Sequence, residues 1–145
     1  MQPISLHELY QSGCATIPKE SGVYFVMVPD DMKISFLPSA LNPHAPSYEV
    51  AVLQKKYAIC AEKKILYIGK ASGKNGLCQR LRQYMKYGWN EGTNHKGGRA
   101  IWQILHAEQL LLTYEICKDA DKREHELLSE FKAKNGCYPL ANWKG

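Results

Sequence analysis

Two tyrosines, an arginine, a glutamate and an asparagine occur in this chain in the order Tyr24, Tyr67, Arg80, Glu124, Asn142. Together these side-chain types can supply a proton acceptor, an anion clamp, a ligand for a hard cation and an orienting amide, the set that phosphodiester hydrolysis requires. No member is decisive alone. Either tyrosine can equally be a core strand residue with a satisfied hydroxyl. A tyrosine, with an ordinary pKa of about 10, is a poor base at neutral pH unless a cation favours its phenolate. Lys70 or a bound metal ion can do that, and Lys70 can equally be a plain phosphate contact.

Periodicity indicates which elements must hold these residues. Gly22-Val23-Tyr24 opens an apolar run to Val28 that predicts a buried strand, and Lys64 to Ile68 predicts a second. Residues 29–63 read as an insertion between them, holding Pro38, Pro43 and Pro46 and a Val50-Ala51-Val52-Leu53 segment of unassigned type. A glycine-bearing connection leads into a helix from Leu77 to about Tyr87. There Leu77, Leu81 and Tyr84 recur at helical spacing, and Arg80 falls inside the same arc, which predicts that it points inward. An arginine so placed can form a structural salt bridge, snorkel to solvent, or hold a fixed fork for a phosphate.

A last helix, from about Asp119 to Lys134, repeats the pattern, with Glu124 on the face of Ala120, Leu127, Leu128 and Phe131. Asp121-x-x-Glu124 matches a capping box at the helix start. The alternative is that Glu124 holds Mg²⁺, whose shell phosphate oxygens and waters complete. Asn142 sits in a Pro139-x-x-Asn142 tail, where asparagine ordinarily makes a local turn hydrogen bond.

Elsewhere, Ile4 to Tyr10 predicts a short helix, Ile101, Trp102, Ile104 and Leu105 a largely buried helix, and Leu110 to Cys117 a strand. The order predicts an α+β fold, a small, mainly antiparallel three-stranded sheet flanked by helices. A length of 145 residues with 45% hydrophobic content suits a single domain over 1–145 with a real core.

Of the net charge of +5, residues 70–99 hold more than the whole, with seven basic side chains against Glu91 alone. A solvated helix face is the plain reading of that run; the interleaved Tyr84, Tyr87 and Trp89 favour nucleic acid. Lys70, Lys74, Arg82 and Tyr84 are thus candidate substrate contacts. His95 with Gly97, Gly98 and Arg99 forms either a phosphate-binding turn or ordinary loop punctuation.

The longest apolar runs fall far short of the roughly 20 residues that span a bilayer, and the first residues lack a secretory pattern. A cytoplasmic protein without membrane contact is expected. Five scattered cysteines, with no Cys-x-x-Cys pair, are expected to be reduced and partly buried rather than zinc-binding.

Taken together, Gly22-Val23-Tyr24 and Tyr67-Ile68-Gly69 resemble the two naming motifs of the GIY-YIG nuclease family. Lys70-Ala71 followed by Leu77-x-x-Arg80-Leu81-x-x-Tyr84 is similar to its arginine helix, Glu124-x-x-Leu127-Leu128 to its glutamate helix, and Pro139-Leu140-Ala141-Asn142 to its closing asparagine motif. Ile17-Pro18 ahead of the first motif and the lysine after the second are also similar to the nuclease subunit of bacterial excision repair. The 29–63 insertion departs from the short connection usual in the family, and no separate targeting domain is recognisable.

The resemblance implies a Mg²⁺- or Mn²⁺-dependent DNA endonuclease with catalytic Tyr24, Tyr67, Arg80, Glu124 and Asn142. Tyr24 would take the proton of the attacking water, with Tyr67 and Lys70 adjusting its proton affinity. Arg80 would stabilise the transition state, Glu124 hold the metal, and Asn142 orient its surroundings. The DNA would be branched, damaged or a specific duplex sequence. The alternatives are a catalytically inactive nucleic-acid-binding module of the same fold and, more weakly, a small-molecule hydrolase.

Overall fold

The computed structural model describes residues 2–43, 46–91 and 97–143. Strands β1 (Ile4–Ser5), β2 (Gly22–Met27), β3 (Ile65–Ala71) and β4 (Leu111–Ile116) form one antiparallel sheet in the order β1-β4-β2-β3. Helices α1 (Leu6–Gln11), α2 (Val50–Ile59), α3 (Gly76–Gly88) and α4 (Ala120–Asn135) flank it. The α+β class and the antiparallel sheet agree with the sequence; the strand number does not. The segment expected as one opening helix begins with β1, which pairs with Leu111 and Leu112 before Ser5 caps α1 through Glu8 N. Two residues carry no period-2 signal, so this edge strand has no trace in the sequence.

β2 and β3 are built from β-branched and aromatic residues whose alternation divides the core. Tyr24, Val26 and Tyr67 face α1 and α3, among Leu9, Leu77, Leu81 and Met85. Phe25 and Ile68 face α4, against Leu128 and Phe131. α3 buries its Leu77, Leu81, Tyr84 stripe completely, as its spacing requires. α4 starts at Asp119, whose carboxylate accepts from Lys122 N at 3.1 Å. Asp119 is therefore the cap, and the capping-box reading of Asp121 and Glu124 falls away.

One open assignment is filled and two further expectations are corrected. Val50 to Leu53 opens α2, so the 29–63 insertion contains a helix, anchored by fully buried Leu53. The apolar run after Gly98 forms two short 3₁₀ turns, Arg99–Gln103 and Ala107–Gln109, in place of a helix. Ile104 instead pairs with Phe36 of the insertion in an isolated bridge, and Leu105 is exposed. Cys60 and Cys137, expected as thiols, form a disulfide that ties the insertion's end to the segment after α4. Buried Cys14 keeps its thiol, which burial pushes up to about 11, a poor nucleophile.

Candidate active site

The cross-strand register of β2 and β3 sets the first contact. Tyr24 lies directly opposite Gly69, and any Cβ at position 69 would fall 2.3 Å from the Tyr24 ring. The glycine lets that ring lie flat over β3 and reach the diagonal neighbour Tyr67, with ring centroids 5.9 Å apart. Tyr24 donates its hydroxyl hydrogen to Tyr67, and Arg80 on α3 bonds to the Tyr24 oxygen. The inward arginine predicted from helical spacing thus meets the tyrosine pair.

Burial separates the two phenols. Tyr24 is completely inaccessible, and desolvation holds its hydroxyl well above the ordinary value against the opposing pull of Arg80. It keeps its proton and has no path to a solvent water. Tyr67, 7% exposed, borders a cavity of about 270 Å³. Burial pushes it up to about 12; the bond from Tyr24 lowers it, the Glu124 carboxylate raises it and Arg80 lowers it. Tyr67 therefore senses both the anionic and the cationic member of the site.

Glu124 borders the same cavity from the first turns of α4. Its half-buried carboxyl is raised above the usual range by desolvation, with Lys70 opposing and Asp121 adding to the shift. Lys70 Nζ lies 2.5 Å from Asp121 and 4.0 Å from Glu124. Lys70 was expected to tune Tyr24; Arg80 is the cation that does so, and Lys70 serves the carboxylates. Lys70 and Arg80 also border a second cavity of about 340 Å³, with Ser72, Gln79 and Gln83.

Asn142 closes the arrangement from the tail. Its Oδ1 accepts from Ile68 N and its Nδ2 donates to Ile68 O, both at 2.9 Å. β3 is a sheet edge, and this side chain satisfies the edge as a strand would. The tail is held in turn by Ala141 N to Leu66 O at 2.8 Å, and by Lys56 of α2, which donates to the Leu140 and Asn142 carbonyls. Asn142 thus fixes the backbone beside Tyr67, a positioning role with its amide fully engaged.

The other sequence candidates divide. Tyr84, expected as a substrate contact, is fully buried, as its place on the apolar stripe demands. Its hydroxyl donates to Gly98 O at 2.7 Å, and its ring touches those of Tyr24, Tyr67 and Trp102. Arg82 is tied to Gly13 O at 3.3 Å on α3's outer face, and Lys74 is exposed on the loop before α3; neither borders the two cavities. Arg99 borders the Tyr67 cavity. Gly98 (φ +71°) brings it there, packed so closely that a Cβ would meet the Tyr67 ring at 2.6 Å. His95 lies outside the described residues.

Tyr48, Lys56, Gln103 and Trp143 escaped the sequence analysis. Tyr48 and Trp143 also border the Tyr67 cavity. Gln103 is 1% exposed and accepts from Tyr48 N while donating to Tyr48 O and Leu37 O, binding the insertion to the Arg99–Gln103 turn. A lone glutamine in an apolar run was the one available signal.

Among the described residues no group of three His, Cys, Asp or Glu side chains could hold a metal ion, and no helix is long and apolar enough to cross a membrane. No family model matches the chain, and no curated protein or solved structure gives a significant match.

Proposed function

We propose that the chain is a metal-dependent endonuclease hydrolysing phosphodiester bonds in DNA, with β4-β2-β3 as the three-stranded core of a GIY-YIG nuclease and β1 as an added edge. The observation that carries this reading is that Tyr67, which both Glu124 and Arg80 influence, borders the same cavity as Glu124. A carboxylate, a guanidinium and a phenol around one point suit an anionic ester attacked by water.

The residues fit a metal shared with substrate. Glu124 is desolvated enough for its carboxyl to be raised despite Lys70, so positive charge is welcome beside it. Mg²⁺ or Mn²⁺ would take Glu124 together with phosphate oxygens and waters. When bound, such an ion supplies the charge that activates water and stabilises the leaving oxygen. Arg80 binds the non-bridging oxygens, and its charge increases in value as the phosphorane forms. Tyr67 takes the proton of the attacking water as the new P–O bond forms, assisted by the hydrogen bond from Tyr24. The role expected of Tyr24 thus passes to Tyr67, because access decides which phenol meets water. Asn142 keeps Tyr67 in register, and the basic run from Lys70 to Arg99 holds the DNA backbone, with binding that weakens as salt rises.

Incubation of plasmid and branched DNA with Mg²⁺ or a chelator, beside Glu124→Ala and Arg80→Ala, tests the proposal. Cutting by the wild type that needs the metal and vanishes in both variants supports it. Tight DNA binding with no cutting of any substrate supports instead an inactive nucleic-acid-binding module, the state toward which two protonated tyrosines lean.

A further inference from the structure

The Tyr67 cavity has a wall that the proposed hydrolysis does not use. Four side chains form a cation–aromatic column. Lys56 Nζ sits 3.7 Å from the centre of the Trp143 ring, Trp143 stacks on Tyr48 at 4.7 Å and 30°, and the Arg99 guanidinium lies 4.4 Å from the centre of Tyr48. The layers come from α2, the tail, the insertion and the turn after Gly98. Gln103, on the same 3₁₀ turn as Arg99, holds the Tyr48 backbone through two hydrogen bonds, so the stack is fixed from both sides.

Arg99 ends this column, and its charge is unanswered. No carboxylate pairs with it among the described residues, and its buried Nε has no hydrogen-bond partner. A half-buried guanidinium held flat but unpaired is a binding group in want of an anion. The guanidinium lies on Tyr48 at the border of the cavity, and its plane and N–H fork are the features by which arginine takes an unpaired base and a backbone phosphate. It also shares a cavity of about 270 Å³ with Tyr67 and Glu124. A bound strand would therefore run from Arg99 directly to the reacting groups. In an intact duplex the base beside that phosphate is already stacked and paired, so it offers Arg99 no face.

We propose that the 29–63 insertion makes this cavity selective for single-stranded DNA, with Arg99 as the binding residue and Tyr48 as the residue that orients it. This rests on the reading of the same cavity as a phosphodiester site. Aromatic and cationic layers of this kind serve single strands because any unpaired base offers a π-face. The Lys56–Trp143 layers act through Tyr48.

The test is fluorescence anisotropy in chelator, with a labelled single-stranded DNA oligonucleotide and a duplex of the same sequence. The wild type is expected to bind the single strand about tenfold tighter. Arg99→Ala and Tyr48→Ala each weaken single-strand binding about tenfold and duplex binding by less than about twofold. The double variant is no weaker than Arg99→Ala, because the pair acts as a unit. Tyr48→Phe keeps the ring and keeps the affinity, which separates orientation from loss of folding. Equal affinity for the two DNAs, or an Arg99→Ala effect that is the same on both, overturns the proposal. No step of this assay requires hydrolysis. A protein that prefers single strands but never cuts removes the nuclease reading alone, and one that cuts without preference removes only the selectivity.

Discussion

Two of the cavities along β3 were assembled in different ways. The one bordered by Lys70, Ser72, Gln79 and Arg80 comes from a single stretch of chain, the end of β3 and the start of α3. The other joins Tyr67 to Tyr48, Arg99, Glu124 and Trp143, from five separate segments. The first has polar, exposed walls suited to a phosphate arriving from solvent. The second contains the desolvated groups, with the phenol and the carboxyl both shifted upward. Both cavities can take backbone phosphate, but only the second joins it to proton-handling groups, and Arg80 connects the two.

The largest break in that comparison is expected from its connector. Arg80→Ala lowers single-turnover cleavage by at least about 10³-fold, the scale of an arginine that stabilises phosphoryl charge. A loss confined to KM would make Arg80 a binding residue only. Tyr67→Phe and Tyr24→Phe separate the phenols: about 10²-fold or more for the first and less than about tenfold for the second. A larger loss for Tyr24→Phe returns the base to the buried tyrosine.

The pH profile sharpens the same point. The raised Tyr67 favours its protonated form at neutral pH, so kcat/KM should climb about tenfold per unit toward alkaline pH, levelling only beyond the raised pKa of about 12, where the phenolate is half formed. The raised carboxyl of Glu124 must be ionised to act, so activity falls as pH drops through a point above the ordinary glutamate value. A flat profile contradicts the phenolate step.

Asn142→Ala tests positioning. It leaves Ile68 N–H and C=O unsatisfied at a buried edge, which costs about 2–4 kcal/mol of stability by urea unfolding. Cleavage by the folded fraction falls as well, because Tyr67 precedes Ile68. Unchanged stability would mean that Asn142 does not hold β3.

The difference between the cavities also marks what was legible in the sequence. The wall formed by Lys70 and Arg80 is local, and 3.6-residue periodicity on α3 foretold the inward arginine. Glu124 was found by the same route on α4, although its rival role as a cap fell only when Asp119 took the Lys122 N–H. Tyr48 and Trp143 lie in segments without periodicity, and their contact depends on the fold of the insertion, so nothing local could announce it. Tyr84 was misread as a substrate contact because its basic neighbours outweighed its place on a fully apolar stripe. The two-residue β1 and the Cys60–Cys137 bridge exist only through partners distant in sequence.

Glu124→Gln tests the central claim most directly, because stability and function should move in opposite directions. The raised folded-state pKa means that ionised Glu124 costs stability at neutral pH, a cost that disappears as pH falls below that pKa. The neutral amide is therefore expected to raise the melting midpoint by about 2 °C. Single-turnover cleavage of a labelled DNA strand at saturating Mg²⁺ should nevertheless fall by at least about 10³-fold. A folded Glu124→Gln protein that cuts at the wild-type rate contradicts the account.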